Sequence, residues 1–194
     1  MNTPTPRRLL ILSGAASHGS RTHAVAEAVS RHVVATGGRP VLRDLSEHEL
    51  PLLHTAPQAS DALADLRHQA AEADALVWVT PCYHGSYSGL LKNALDHLRE
   101  PDLRGKPVGL VAVGTSLTAV QACDHLRSVA RALGCVAVPT HAVITGMAAS
   151  ADTGSEQDTA ARLSRMISEI HVLAESTWRL RHDPALLASS GAGS

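Results

Sequence analysis

An open parallel sheet of five strands, doubly wound in the order 2-1-3-4-5 and covered by helices on both faces, is the fold this sequence predicts. Three observations carry that expectation: five short apolar runs, amphipathic segments between them, and turn residues closing the runs. Apolar runs without polar alternation mark strands buried on both faces. Alternation of such strands with helices implies parallel pairing, and right-handed crossovers then favour this order. In such a sheet ligands bind beyond the carboxyl ends of the strands, where the winding reverses. The loops after strands one, three and four should therefore meet at one site.

The elements follow in order. Leu9-Leu10-Ile11-Leu12 reads as the first strand, closed by Ser13-Gly14. Ala24, Val25, Ala28, Val29 and Val33 recur at helical spacing until Gly37-Gly38 stops the helix. Val41-Leu42 is a short second strand, and residues 46–59, with Pro51 and Pro57, form a loop. Residues 62–73 are helical in composition, and Ala75 to Val79 is the third strand, closed by Thr80-Pro81. Leu90, Leu91, Ala94, Leu95 and Leu98 stripe a helix; Pro107 to Val113 is the fourth strand; Leu126, Val129, Ala130 and Leu133 stripe the next helix. Val136 to Val138 is the fifth strand, residues 146–157 read as a mobile loop, and Leu163 to Leu173 as the last helix. One domain over residues 1–183 is expected, with 184–194 a disordered tail.

Composition narrows the function. With 194 residues, one sizeable core is possible but not two. Phenylalanine is absent, and Trp78, Tyr83, Tyr87 and Trp178 are the only aromatics, too few for a base-stacking platform. A net charge of −1 and pI near 6.9 leave no electrostatic footprint for nucleic acid or an anionic membrane. Cys82, Cys123 and Cys135 are odd in number and widely spaced, which suits a reducing cytoplasm. The apolar run after the amino end is too short for a signal-peptide core or a membrane span. The 12 histidines read as surface composition.

Two loops carry the chemistry. The first runs from Ser13 to Thr22, with Gly14, Ser17, Gly19, Ser20, Arg21 and Thr22 leading into a helix N-terminus. Backbone N–H groups and the helix dipole favour an anion there. A nucleotide-triphosphate loop would need Lys after Gly19, where Ser20 stands, and a dinucleotide fingerprint would need Gly at Ala16. Both fail, and Ser20 also reads simply as a helix cap. The second loop holds Pro81, Cys82, Tyr83, His84, Gly85 and Tyr87, so two of the four aromatics fall in one connecting segment. Cys82 has no resolving cysteine nearby and reads as a lining residue. His84 beside it makes two ligands, not a metal site. Lys92 and Asp96 read equally as a solvated i,i+4 pair or, on the resemblance below, as subunit-interface residues.

From Thr80 to Asp96 the second loop resembles the T-P-x-Y-x-x-x-x-S-G-x-L-K-x-x-x-D signature of the NAD(P)H-dependent FMN reductase family. The first loop resembles that family's G-S-x-R-x-x-S-x-N phosphate loop, and Leu103 to Gly114, through Gly105-Lys106-Pro107, resembles its l-x-G-K-P-v-x-l-v-x-x-G strand. The resemblance spans residues 8–140 and implies a flavodoxin-like homodimer or homotetramer with FMN at the sheet edge. By position, Ser17, Ser20, Arg21 and Thr22 would surround the phosphate, Pro81 to Gly85 would line the ring, and Gly114, Thr115 and Ser116 would close its other edge. Ala15, Ser17 and Thr22 stand where the family usually has Ser, Arg and Asn. Arg21 restores the charge in a pattern similar to the sulfonate-utilisation flavin reductases, which also have a Tyr at the position of Tyr87.

The reaction implied is hydride transfer from NADPH or NADH to FMN, achieved by ring positioning, with neither a catalytic acid–base residue nor a metal. Backbone N–H groups after the fourth strand would stabilise the charge left on the reduced ring. Three outcomes fit: release of reduced FMN to a partner monooxygenase, which the Ser-Arg-Thr loop and Tyr87 favour; bound FMN reducing quinones, azo dyes or metal oxyanions; and a non-enzymatic electron carrier. A carrier needs a charged docking face, for which −1 gives little support.

Overall fold

The computed structural model describes residues 7–47, 49–53, 60–145 and 153–178. In chain order it contains β1 (Arg8–Ser13), α1 (Arg21–Ala35), β2 (Arg39–Asp44), α2 (Asp61–Glu72), β3 (Ala75–Pro81), α3 (Gly89–Asp96), α4 (Glu100–Leu103), β4 (Pro107–Val113), a 3-10 turn (Leu117–Ala119), α5 (Val120–Ala132), β5 (Val136–Ala137), β6 (Ala142–Ile144) and α6 (Thr153–Ser176). The strands pair in parallel in the order β2-β1-β3-β4-β5.

Alternation along the central strands sorts the apolar side chains between two cores. Leu9 and Ile11 of β1 with Val77 and Val79 of β3 face α1 and α6, joining Val29, Val33, Met166 and Ile170. Leu10 and Leu12 with Leu76 and Trp78 face α2, α3 and α5, joining Leu66, Leu91, Leu95 and Leu126. Because every residue of β3 and β4 is buried, these strands read as unbroken apolar runs. Each fully buried Leu, Val or Ile contributes about 1.5–3 kcal/mol. With no phenylalanine, Trp78 is the largest fully buried side chain.

Helix α1 ends where Gly37-Gly38 predicts. Gly37 adopts φ 81°, its N–H donates to Val34 O at 3.0 Å, and the Gly38 N–H donates to Val33 O at 2.9 Å. This doubled closure needs a left-handed residue, which glycine supplies without strain.

The fifth strand position differs from expectation. It is shared by β5, which pairs with the start of β4, and β6, which pairs with its end. The break falls at Pro139, and Arg127 of α5 donates to Val138 O and Pro139 O, both at 3.0 Å, satisfying carbonyls the sheet leaves open. Helix α6 begins at Thr153, so the loop expected through residue 157 is shorter. Residues 146–152 and the tail 184–194 lie outside the described residues. No helix among the described residues is long and apolar enough to cross a membrane.

Candidate functional site

Three loops meet at the carboxyl ends of β1, β3 and β4. The first leads into α1, where Ser20 is extended and its Oγ accepts from the His23 N–H at 3.1 Å. Capping uses the oxygen lone pair and leaves the hydroxyl hydrogen for another acceptor. Arg21, the first helical residue, is exposed and makes no ion pair or hydrogen bond among the described residues. Among those residues, the N–H groups of Ala15 through Gly19 also meet no protein acceptor. Free donors, a hydroxyl and an unpaired guanidinium at the end of a 15-residue helix make a place for an anion.

Gly14 serves architecture. Its N–H donates to Val79 O at 2.8 Å, and its carbonyl accepts from Ser88 Oγ at 2.5 Å. The same Ser88 oxygen accepts from the Leu91 N–H at 3.1 Å, capping α3, while the Ser88 N–H donates to Thr80 Oγ1 at 3.0 Å. A Cβ on Gly14 would stand 2.8 Å from Leu91 Cβ. The Thr and Ser of the signature thus fasten the first loop, β3 and α3 to one another.

Beyond Cys82 the chain turns tightly. Tyr83 and Ser86 exchange N–H···O bonds of 2.9 and 3.0 Å around His84 (φ 51°) and Gly85 (φ 79°). Two successive positive φ values define a type I′ turn. The turn leans on α5: Ser86 Oγ lies 2.9 Å from His125 Nδ1, and a Cβ on Gly85 would stand 2.8 Å from Gln121 Oε1. Tyr83 is 56% exposed at the rim, whereas Tyr87 turns inward and packs against the α2/α3/α5 core.

Between these loops lies an open cavity of about 270 Å³, lined by Ala15, Ser17, Ser20, Arg21, Thr22, Pro81, Cys82, Tyr83, Val113, Gly114 and Thr115. Nine residues singled out from the sequence therefore come together. Gly14, Gly19, His84, Gly85, Tyr87 and Ser116 do not line it, and Ser116 instead bonds Thr118 through their hydroxyls at 2.7 Å. Ala15 and Val113 were not singled out. Val113 is the last residue of β4 and immediately precedes the glycine that was, which is the signal that could have found it.

One expectation needs correcting. The Gly114 N–H donates to Ile144 O of β6 at 3.0 Å, so it is not available to a ligand. The Thr115 and Ser116 N–H groups have no protein acceptor among the described residues. Lys92 and Asp96 form the i,i+4 pair within the chain. Burial pushes the Cys123 thiol up to about 12, and does the same to Cys135, leaving Cys82, half-buried in the cavity wall, as the accessible sulfur.

Parallel strands in this order, with the cavity where the winding reverses, place the chain among the flavodoxin-like oxidoreductases. The chain belongs to the family described as NADPH-dependent FMN reductase, which it matches over residues 7–150, and is an NAD(P)H-dependent FMN oxidoreductase. It is 38% identical over 137 residues to an FMN-dependent NADPH-azoreductase of Staphylococcus aureus (strain USA300), covering 68% of this chain and 73% of the relative. Among solved structures, an oxidoreductase from Corynebacterium diphtheriae superposes with a TM-score of 0.72 at 27% identity, covering 89% of this chain and 98% of that one. An NADH:FMN oxidoreductase in its apo form superposes at 0.67 and 26%, covering 93% of each chain.

The chemistry of the lining residues suits FMN. The free donors of the first loop, with Ser20 and Arg21, suit a phosphate. Pro81 to Tyr83 and Val113 give the wall a mostly apolar character suited to a ring.

Proposed function

We propose that this enzyme keeps FMN bound and passes electrons from NAD(P)H through it to a small planar aromatic acceptor, such as an azo compound or a quinone. The observation that carries this reading is the make-up of the cavity's open side. Tyr83, which lines the cavity, is 56% exposed there. Among the described residues, Arg21 is the only Lys or Arg lining the cavity, and it belongs with the phosphate, so an oxyanion acceptor would meet no second cation among them. An apolar rim suits a planar aromatic. The azoreductase relative supports the same acceptor class. Bound FMN supplies the hydride-accepting ring. Ser20, Arg21 and the first-loop N–H groups would hold its phosphate, Pro81 and Tyr83 would orient the ring, and the Thr115 N–H would be available to the charge that develops on reduction.

A second reading, release of reduced FMN to a partner monooxygenase, rests on the wall itself. Ala15 contributes no hydroxyl where the family usually has one. The cavity also falls short of the roughly 300–1,000 Å³ typical of ligand pockets. Gel filtration of the FMN-loaded enzyme, before and after turnover with NADPH and an azo dye or quinone, separates the two. Retained flavin with acceptor reduction supports the first reading. Flavin lost in each catalytic cycle, with reduced FMN accumulating free in solution, sinks it in favour of the second.

The shallow cavity also supports the expected homodimer or homotetramer, in which a second copy would close the open side. Multi-angle light scattering showing an active monomer would refute that arrangement.

A further inference from the structure

Beside the cavity, the loop after β1, the end of β2 and the turn that follows it bring a second set of ligand-type side chains together. His18, Asp44 and Glu47 each offer one ligand atom, and these atoms lie within 4.8 Å of one another. Asp44 is the fixed member. It is 5% exposed, and its Oδ1 accepts from the Ser46 N–H at 3.0 Å and from Ser46 Oγ at 2.9 Å. Ser46 Oγ also lies 3.3 Å from His18 Nδ1, so one hydroxyl touches two of the three ligands. Such outer contacts orient metal ligands.

Asp44 is paired with a histidine rather than with a permanent cation. Among the described residues, no Lys or Arg comes within 4.0 Å of it. Its Oδ2 lies 2.8 Å from His23 Nδ1, a buried nitrogen whose geometry makes no hydrogen bond. A buried carboxylate is ordinarily paired or bound to a metal, and a carboxylate has lone pairs beyond those Ser46 uses.

We infer that His18, Asp44 and Glu47 form a divalent-cation site, with water in the remaining positions. One imidazole nitrogen and two carboxylate oxygens suit a borderline ion such as Zn²⁺ better than Mg²⁺ or Ca²⁺, which take oxygen alone. Ligands about 2.0–2.2 Å from a tetrahedral ion stand roughly 3.3–3.6 Å apart, so a set lying within 4.8 Å need close by no more than about 1.5 Å. His18 and Glu47 are exposed and free to rotate inward, while Asp44 stays in place. A bound ion would tie the first loop, whose Ser17 and Ser20 line the cavity, to the sheet's edge strand.

The test is calorimetric titration of the tag-free, full chain with Zn²⁺, paired with thermal melts. We expect one Zn²⁺ per chain and a melting temperature raised by it. His18→Ala and Glu47→Gln, both at exposed positions, should each weaken binding at least roughly tenfold and abolish the melting shift. His68→Ala, at an exposed position on α2, should change neither. Wild-type affinity in both site variants, or no Zn²⁺ binding by the wild type, would overturn the inference.

Discussion

Lys106, from the Gly105-Lys106-Pro107 segment, is buried to 5% exposure, and its ammonium donates to Ala70 O at 2.7 Å and Ala71 O at 2.6 Å. Those carbonyls belong to the last turn of α2, where helical acceptors lose their intrahelical partners and the dipole is negative. Lys106→Met keeps the stem's length and removes the charge. Hydrogen bonds from a charged donor contribute roughly 1.5–3 kcal/mol each, so two give about 3–6 kcal/mol gross. Relief from burying an ammonium offsets part of this, and we expect a net loss of about 2–4 kcal/mol. At ~2–4 °C per kcal/mol for a chain of this size, a loss of about 3 kcal/mol lowers the melting temperature by roughly 6–12 °C. Circular-dichroism melts measure the shift, and FMN titration well below the transition should show unchanged affinity, because Lys106 does not line the cavity. A melt within about 2 °C of wild type, or a collapse of FMN binding in the folded variant, would refute this account.

Arg21→Ala should weaken FMN by about 1.5–3 kcal/mol at low salt and riboflavin hardly at all; parallel fluorescence-quenching titrations compare the two ligands. Burial, with a further contribution from Arg7, holds His171 below its ordinary value where it meets Thr36 at 3.0 Å. The unfolded chain then binds the extra proton first, so this stability is complete above pH ~6.5 and is lost as pH falls through the lowered folded-state value. Urea midpoints from pH 8 to 5 should fall less steeply in His171→Gln, and parallel slopes would exclude the effect. Cys82 should be the one thiol alkylated quickly in the native enzyme, and FMN should protect it; mass spectrometry finding Cys123 or Cys135 labelled at the same rate would contradict their burial.

The sheet was legible because β1, β3 and β4 are covered on both faces, which leaves a signal in hydrophobicity alone. β6 was not, since Ala142–Ile144 is too short to stand out and its pairing depends on Pro139 interrupting the strand position before it. The cavity was legible through topology, which sends the loops after β1, β3 and β4 to one place. The direction of Tyr87 was not legible: positive φ at His84 and Gly85 reverses the chain, and the following aromatic packs inward. Gly114 was misread for a different reason, as its N–H is consumed by Ile144 of a strand the sequence did not reveal. His18 and Asp44 lie far apart in sequence, one on the loop after β1 and one at the end of β2, and only the pairing of β1 with β2 makes them neighbours.

Ser88 touches Gly14, Thr80 and Leu91 within one residue's reach. The two walls of the cavity consequently share a single fastener and cannot be adjusted separately. Repacking under α3, even at positions remote from any ligand, will be felt on the phosphate side and the ring side together. New acceptor preferences should therefore arise most readily at the rim, around Tyr83, where a side chain can change without disturbing that joint.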